Sequence, residues 1–78
     1  MSYTRKIKNK VQLLIDDDTV TGYQIERATG IHAPTVHHLR AGKMKIENMK
    51  FKTVMLLFDY YTQIEKQRKK EAKLNEKD

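Results

Sequence analysis

Three histidines (His32, His37 and His38), an acidic run from Asp16 to Asp18 and a scatter of lysines are the side chains whose types could do chemistry. Neighbouring positions on a helix point about 100° apart, so His37 and His38 do not converge on one metal ion. The chain has no cysteine, and no carboxylate lies close enough in sequence to complete a ligand set with them. Nor do a nucleophile, a base and an orienting group occur together anywhere along the chain. The sequence therefore predicts no catalytic residue, metal or cofactor, and the protein is read as not an enzyme. What the side chains do offer is charge. Lys and Arg number 16 against 10 Asp and Glu, a net charge of +6, which points to an anionic partner: DNA, RNA, an acidic protein surface or anionic lipid.

A chain of 78 residues makes one domain that buries only roughly 60% of its unfolded surface. Without disulfides, packed helices must stabilise it. No apolar run reaches the roughly 20 residues of a membrane span, and residues Met1 to Lys10 lack the apolar block of a signal peptide. The expected location is the cytoplasm, with no membrane partner.

The elements that position these groups follow from periodicity and punctuation. Ile7, Val11, Leu14 and Ile15 line one face of a first helix, which Asp16, Asp17 and Asp18 end by adding negative charge at its C-terminus. Thr21 and Gln24 form a T-x-x-Q capping box, with Val20 and Ile25 placed to staple across it, so a second helix should start at Gly22. Gly30 suits the left-handed residue that stops it. Pro34 falls in the first turn of a third helix expected from Ala33 to Arg40, and Gly42 is its stop. Asn48 is expected to cap a longer fourth helix. One face of that helix carries Phe51, Val54, Met55 and Phe58, and the opposite side carries Leu56, Leu57, Tyr60 and Ile64. In so small a domain the second stripe is either monomer core or a homodimer surface. From Glu65 to Asp78 the composition turns to Lys, Glu, Gln and Asn, predicting a charged helical extension or a disordered tail beyond a domain of residues 1–64.

With Val36 and Leu39 facing inward, the other side of the third helix presents Pro34, His37, His38 and Ala41, with Ala33 at its edge. Two short helices joined at a glycine turn, the second polar outward, are what a module reading duplex DNA needs.

The segment TGYQIERATGIHAPTVHHLRAGK, Thr21 to Lys43, resembles the phage-repressor and Cro type helix-turn-helix family. The likeness rests on Ile25, Gly30, Ile31, Val36, Leu39 and the closing Gly42–Lys43 pair, and IENMKFKTVMLLF from Ile46 to Phe58 resembles the apolar helix that follows the motif in that family. The resemblance implies an all-α domain of roughly four to five helices with a lambda-repressor-like helix-turn-helix. It further implies a cytoplasmic transcription regulator, a repressor of the phage or mobile-element kind that binds operator DNA as a dimer. It places base contacts at Ala33, Pro34, Thr35, His37 and His38. Backbone contacts fall at Thr21, Tyr23, His32, Arg40, Lys43 and Lys45. Ala33 and Pro34 offer only apolar contact and histidine lacks the bidentate fork of Arg, so affinity should lean on phosphates and DNA shape.

The sequence departs from the family at two positions. Glu26 stands where a small Ala is preferred close to the recognition helix, and its carboxylate must reach solvent or a cation. Arg40 stands where Glu is frequent, and it can reach a phosphate or one of Asp16 to Asp18. The alternative function is a protein-interaction or inhibitor module that presents the same basic face to an acidic protein. RNA binding is the third reading. It lacks interleaved aromatics for stacking, since Tyr60 and Tyr61 fall in a core-like helix.

Overall fold

The computed structural model describes residues 2–76 and is all-α. Its elements are α1 (Ser2–Asp16), α2 (Gly22–Thr29), α3 (Ala33–Arg40), a 3-10 turn at Ile46–Asn48, and α4 (Phe51–Glu76). Among the described residues there is no strand, and no helix is long and apolar enough to cross a membrane.

Every helix gives at least one fully enclosed side chain to a single core: Val11 and Leu14 from α1, Ile25 from α2, Val36 from α3 and Leu57 from α4. Ile7, Ile15, Val20, Leu39, Ile46 and Tyr61 complete it. The i, i+4, i+7, i+8 stripe of α1 is thus its buried face, as the spacing requires. Along α1, Ile7 shares a groove with Val54 and Met55, Lys10 reaches Glu65 at 2.8 Å, and Asp17 meets Arg68 at 2.9 Å. The α4 partners advance in the same order, so α1 and α4 run side by side in one direction. The Lys10 ammonium also lies 5.0 Å over the Phe58 ring, which adds a cation–π contact at this seam.

In two places the fold differs from what the sequence predicts, and in two more it selects between alternatives that the sequence leaves open. Asn48 does not cap α4. It ends the 3-10 turn, Met49 is extended, and the first bond of α4 runs from the Val54 N–H to the Lys50 carbonyl. The cause is Ile46, which is buried and pulls the chain into a tight turn before α4 can begin. Phe51, expected on a core face, is the first residue of α4 and is 74% exposed at the edge of the core. Leu57, which the sequence leaves open between monomer core and dimer surface, is fully enclosed within the monomer, while Tyr60 and Ile64 pack half-buried against the same core. Of that stripe only Leu56 is exposed. The physical reason is that α4 lies across the core with the Leu57–Tyr61 edge inward, between the two faces that the helical projection separates. Finally, the region from Glu65 is helical extension as far as Glu76, and residues 77 and 78 lie outside the described residues. Within this stretch Glu65 and Arg68 tie α4 to α1 and its following turn.

That turn is where the acidic run acts. The Asp17 carboxylate accepts from the Thr19 N–H and hydroxyl and from Arg68, and these bonds, Thr19 first, hold its carboxyl below the ordinary value of 3.8. A carboxyl depressed by folding contributes stability that is fully present above its unfolded value and lost as pH falls through its folded value. Urea unfolding should therefore find Asp17→Asn less stable than the parent near about pH 6, with the gap closing as pH falls below the ordinary value of 3.8. A gap independent of pH would remove the carboxylate from this role. In the same assay Leu57→Ala should cost about 2–5 kcal/mol and Leu56→Ala under about 0.5 kcal/mol. Equal losses would contradict the burial of one and the exposure of the other.

Candidate nucleic-acid interface

The α2–α3 pair is built by local chemistry at each end. Thr21 caps α2: its hydroxyl accepts from the Gln24 N–H at 3.1 Å, and the Gln24 side chain accepts from the Thr21 N–H at 2.9 Å. This reciprocal pair satisfies two donors that a helix start leaves over. Val20 and Ile25 flank the cap and are both buried. At the far end Gly30 has φ 80°, and its N–H donates to the Glu26 carbonyl at 2.8 Å. This left-handed stop turns the chain within three residues into α3.

α3 starts without a cap from its own N-terminal neighbour. Glu26 supplies it from α2, its Oε1 accepting from the Ala33 N–H at 2.6 Å. Pro34 sits in the first turn, where no amide N–H is needed. The carboxylate that the sequence leaves in search of a cation has instead found a backbone donor at the positive end of α3. One turn earlier on the same side of α2, a Cβ placed on Gly22 would lie 3.7 Å from the Ala33 Cβ and 3.8 Å from that of Val36. The two helices are therefore close at Gly22 and pinned at Glu26. α3 ends in a paired closure: the Gly42 N–H donates to the Leu39 carbonyl and the Lys43 N–H to the His38 carbonyl, with Gly42 at φ 77°.

Arg40 is engaged within the chain through two of its three nitrogens. Its Nε donates to the Ile15 carbonyl at 2.9 Å, and Nη2 donates to the carbonyls of Asp17 at 3.1 Å and Val20 at 2.5 Å. The guanidinium thus ties α3 to the end of α1 through backbone oxygens that the helix terminus leaves over. Of the two partners that the sequence offers Arg40, a phosphate or the acidic run, the fold supplies the second through a backbone carbonyl of Asp17, and the Asp17 carboxylate goes to Arg68.

The outward side of α3 carries Pro34, His37 and His38, all exposed, whereas Ala33 and Thr35 are half-buried at its start. The His37 and His38 rings lie 6.4 Å apart and tilted by 51°. Thr21, His32, Lys43 and Lys45 are exposed, and Tyr23 is 63% exposed. Sequence reasoning missed Arg27, which lies exposed on α2 with its guanidinium 5.8 Å over the Tyr23 ring. The i, i+4 spacing of Tyr23 and Arg27 is the signal that marks it. Glu26 is the only acid between Thr21 and Lys45, and it is engaged by Ala33.

Removing these two ties should separate their contributions. Glu26→Ala should cost about 1–2 kcal/mol of unfolding free energy and speed amide exchange at Ala33, with Glu26→Gln, which keeps an acceptor, costing less. Arg40→Lys should cost about 1–3 kcal/mol, because an ammonium cannot span three carbonyls with a planar fork. Neutral results would show that packing alone sets the angle of α3. No protein-family model matches the chain, and neither does any curated protein or solved structure.

Proposed function

We propose that the protein is a cytoplasmic, sequence-selective regulator that binds double-stranded DNA. α2 and α3 act as a helix-turn-helix of the lambda-repressor kind, and α3 enters the major groove of an operator. One observation carries this reading: Pro34, His37 and His38 stand exposed on a short helix held rigidly at both ends, and no other part of the described chain is placed to cover them. α3 has eight residues, a length of about 12 Å, suited to reading a few base pairs. His37 and His38 can donate to purine N7, and Pro34 can meet a thymine methyl. Tyr23, Arg27, Lys43 and Lys45 flank this helix as phosphate contacts, so positioning charge surrounds a modest reading head.

Occupancy of the operator would exclude other proteins and so repress. A homodimer would double the reading head over half-sites about 34 Å apart. Its contact surface would be Leu56 with the open flank of Tyr60, since Leu57 is committed to the core. If the basic face instead served an acidic protein, duplex binding would follow charge alone.

Selection from a random duplex pool should return a preferred sequence with two-fold symmetry. Replacing Lys43 and Lys45 by Ala should weaken all duplexes alike and flatten the dependence of log K on log salt by about 0.9 per lost phosphate contact. His37→Ala and His38→Ala should instead erode discrimination between preferred and random duplexes. No preferred duplex, with an unchanged salt slope in the lysine variant, would refute the proposal.

A further inference from the structure

Phe51 is the most exposed large apolar side chain of the described residues, 74% open. It does not stand alone. It lies at the lip of a groove of about 580 Å³ between the first half of α1, the 3-10 turn and the start of α4. Ile7, Ile46, Met49, Val54 and Met55 line this groove, and Lys8 and Glu47 pair across its rim at 3.3 Å. Met49, Val54 and Met55 are only half-buried. Two methionines give the floor a surface that can adapt to an incoming side chain. None of these residues belongs to the α2–α3 face, so the groove is a second surface, whose use does not depend on DNA binding.

The charges around the groove decide what could fill it. Lys50 and Lys52 flank Phe51 in the chain and are both exposed, while the nearest acid, Glu47, is already paired with Lys8. The start of α4, with the positive end of a 26-residue helix, opens here as well. A second copy would bring the same lysines into opposition. The chain's own later segment, with Lys66, Arg68, Lys69 and Lys70, is basic too. Apolar floor and positive surroundings together match an amphipathic helix whose flanking residues are acidic.

We propose that this groove is a docking site for an acidic amphipathic helix of another protein, with Phe51 and the Met49–Met55 floor gripping its apolar ridge and Lys50 and Lys52 meeting its carboxylates.

The probe is a synthetic helix of about 14 residues, roughly four turns, with Leu at i, i+3, i+4 and i+7 and Glu or Asp elsewhere. A control peptide carries Lys in place of every acid. Titrated into the full-length, isotope-labelled protein, the acidic peptide should bind saturably and shift amides at residues 46–55 without moving those of His37 and His38. Phe51→Ala should weaken it at least about tenfold, and the Lys50→Glu, Lys52→Glu double variant should do likewise. The control peptide should not bind. Both sites are exposed, and unfolding curves should confirm that the variants remain folded. The proposal is overturned by non-saturable binding, by equal binding of the two peptides, or by shifts centred on α3. It is also overturned if sedimentation reveals a dimer of the protein that Phe51→Ala dissolves, since the occupant would then be a second copy. Duplex binding by the same variants is scored separately, so a failure of the DNA reading leaves this result intact.

Discussion

Val11, Leu14, Ile25, Val36 and Leu57 meet in one small core, and each helix can be stable only while its share of that core stays dry. Short helices have little stability of their own, and α2 and α3 have eight residues each, so they hold their shape because Ile25 and Val36 are enclosed. A core this small covers one side of each helix and leaves the other to solvent. The exposure of Pro34, His37 and His38 is a consequence of burying Val36 and Leu39 on the opposite side of the same two turns. Whatever surface the protein uses is thus fixed by what the core takes first.

Polar ties finish what the core leaves loose. Two arginines from different helices converge on the turn after α1, Arg40 on its carbonyls and Arg68 on the Asp17 carboxylate. Glu26 does the corresponding work between α2 and α3. These contacts differ from ordinary surface pairs, which contribute little, because each satisfies backbone donors or acceptors that a helix end would otherwise leave to water, or anchors the turn that does so. They hold α3 at its start and at its end. A helix that must present a few side chains to a rigid groove requires that kind of fixation, since small angular errors would spoil several contacts at once.

The chain also separates its charges by use. Asp17, Glu26, Glu47 and Glu65 are spent on intramolecular contacts. Lys43, Lys45, Lys50 and Lys52 are exposed. Part of the excess of positive charge in the composition therefore lies along the stretch that follows α3 and leads into α4. It borders both the proposed duplex surface and the apolar groove at Phe51.

Local signals were enough for the first three helices. The Thr21–Gln24 box, the stops at Gly30 and Gly42, Pro34 in a first turn and the α1 stripe each act within one or two turns of backbone, so their outcome can be read from neighbouring residues alone. The all-α class and the exposed side of α3 follow from the same periodicity. The start of α4 and its inward edge could not be read that way, because the burial of Ile46 against α1 overrides Asn48 as a cap, and the packing of α4 alongside α1 selects Leu57 and Tyr61. The partner of Glu26, 7 residues away, was equally hidden, and for Arg40 the sequence offered the Asp16–Asp18 run but not the backbone carbonyls, up to 25 residues away, that accept its bonds. Sequence fixes which residues can end or cap a helix, because those bonds close over a few residues. Only the three-dimensional arrangement of helices decides which charged side chain reaches which distant backbone group, and which apolar stripe is left without a cover.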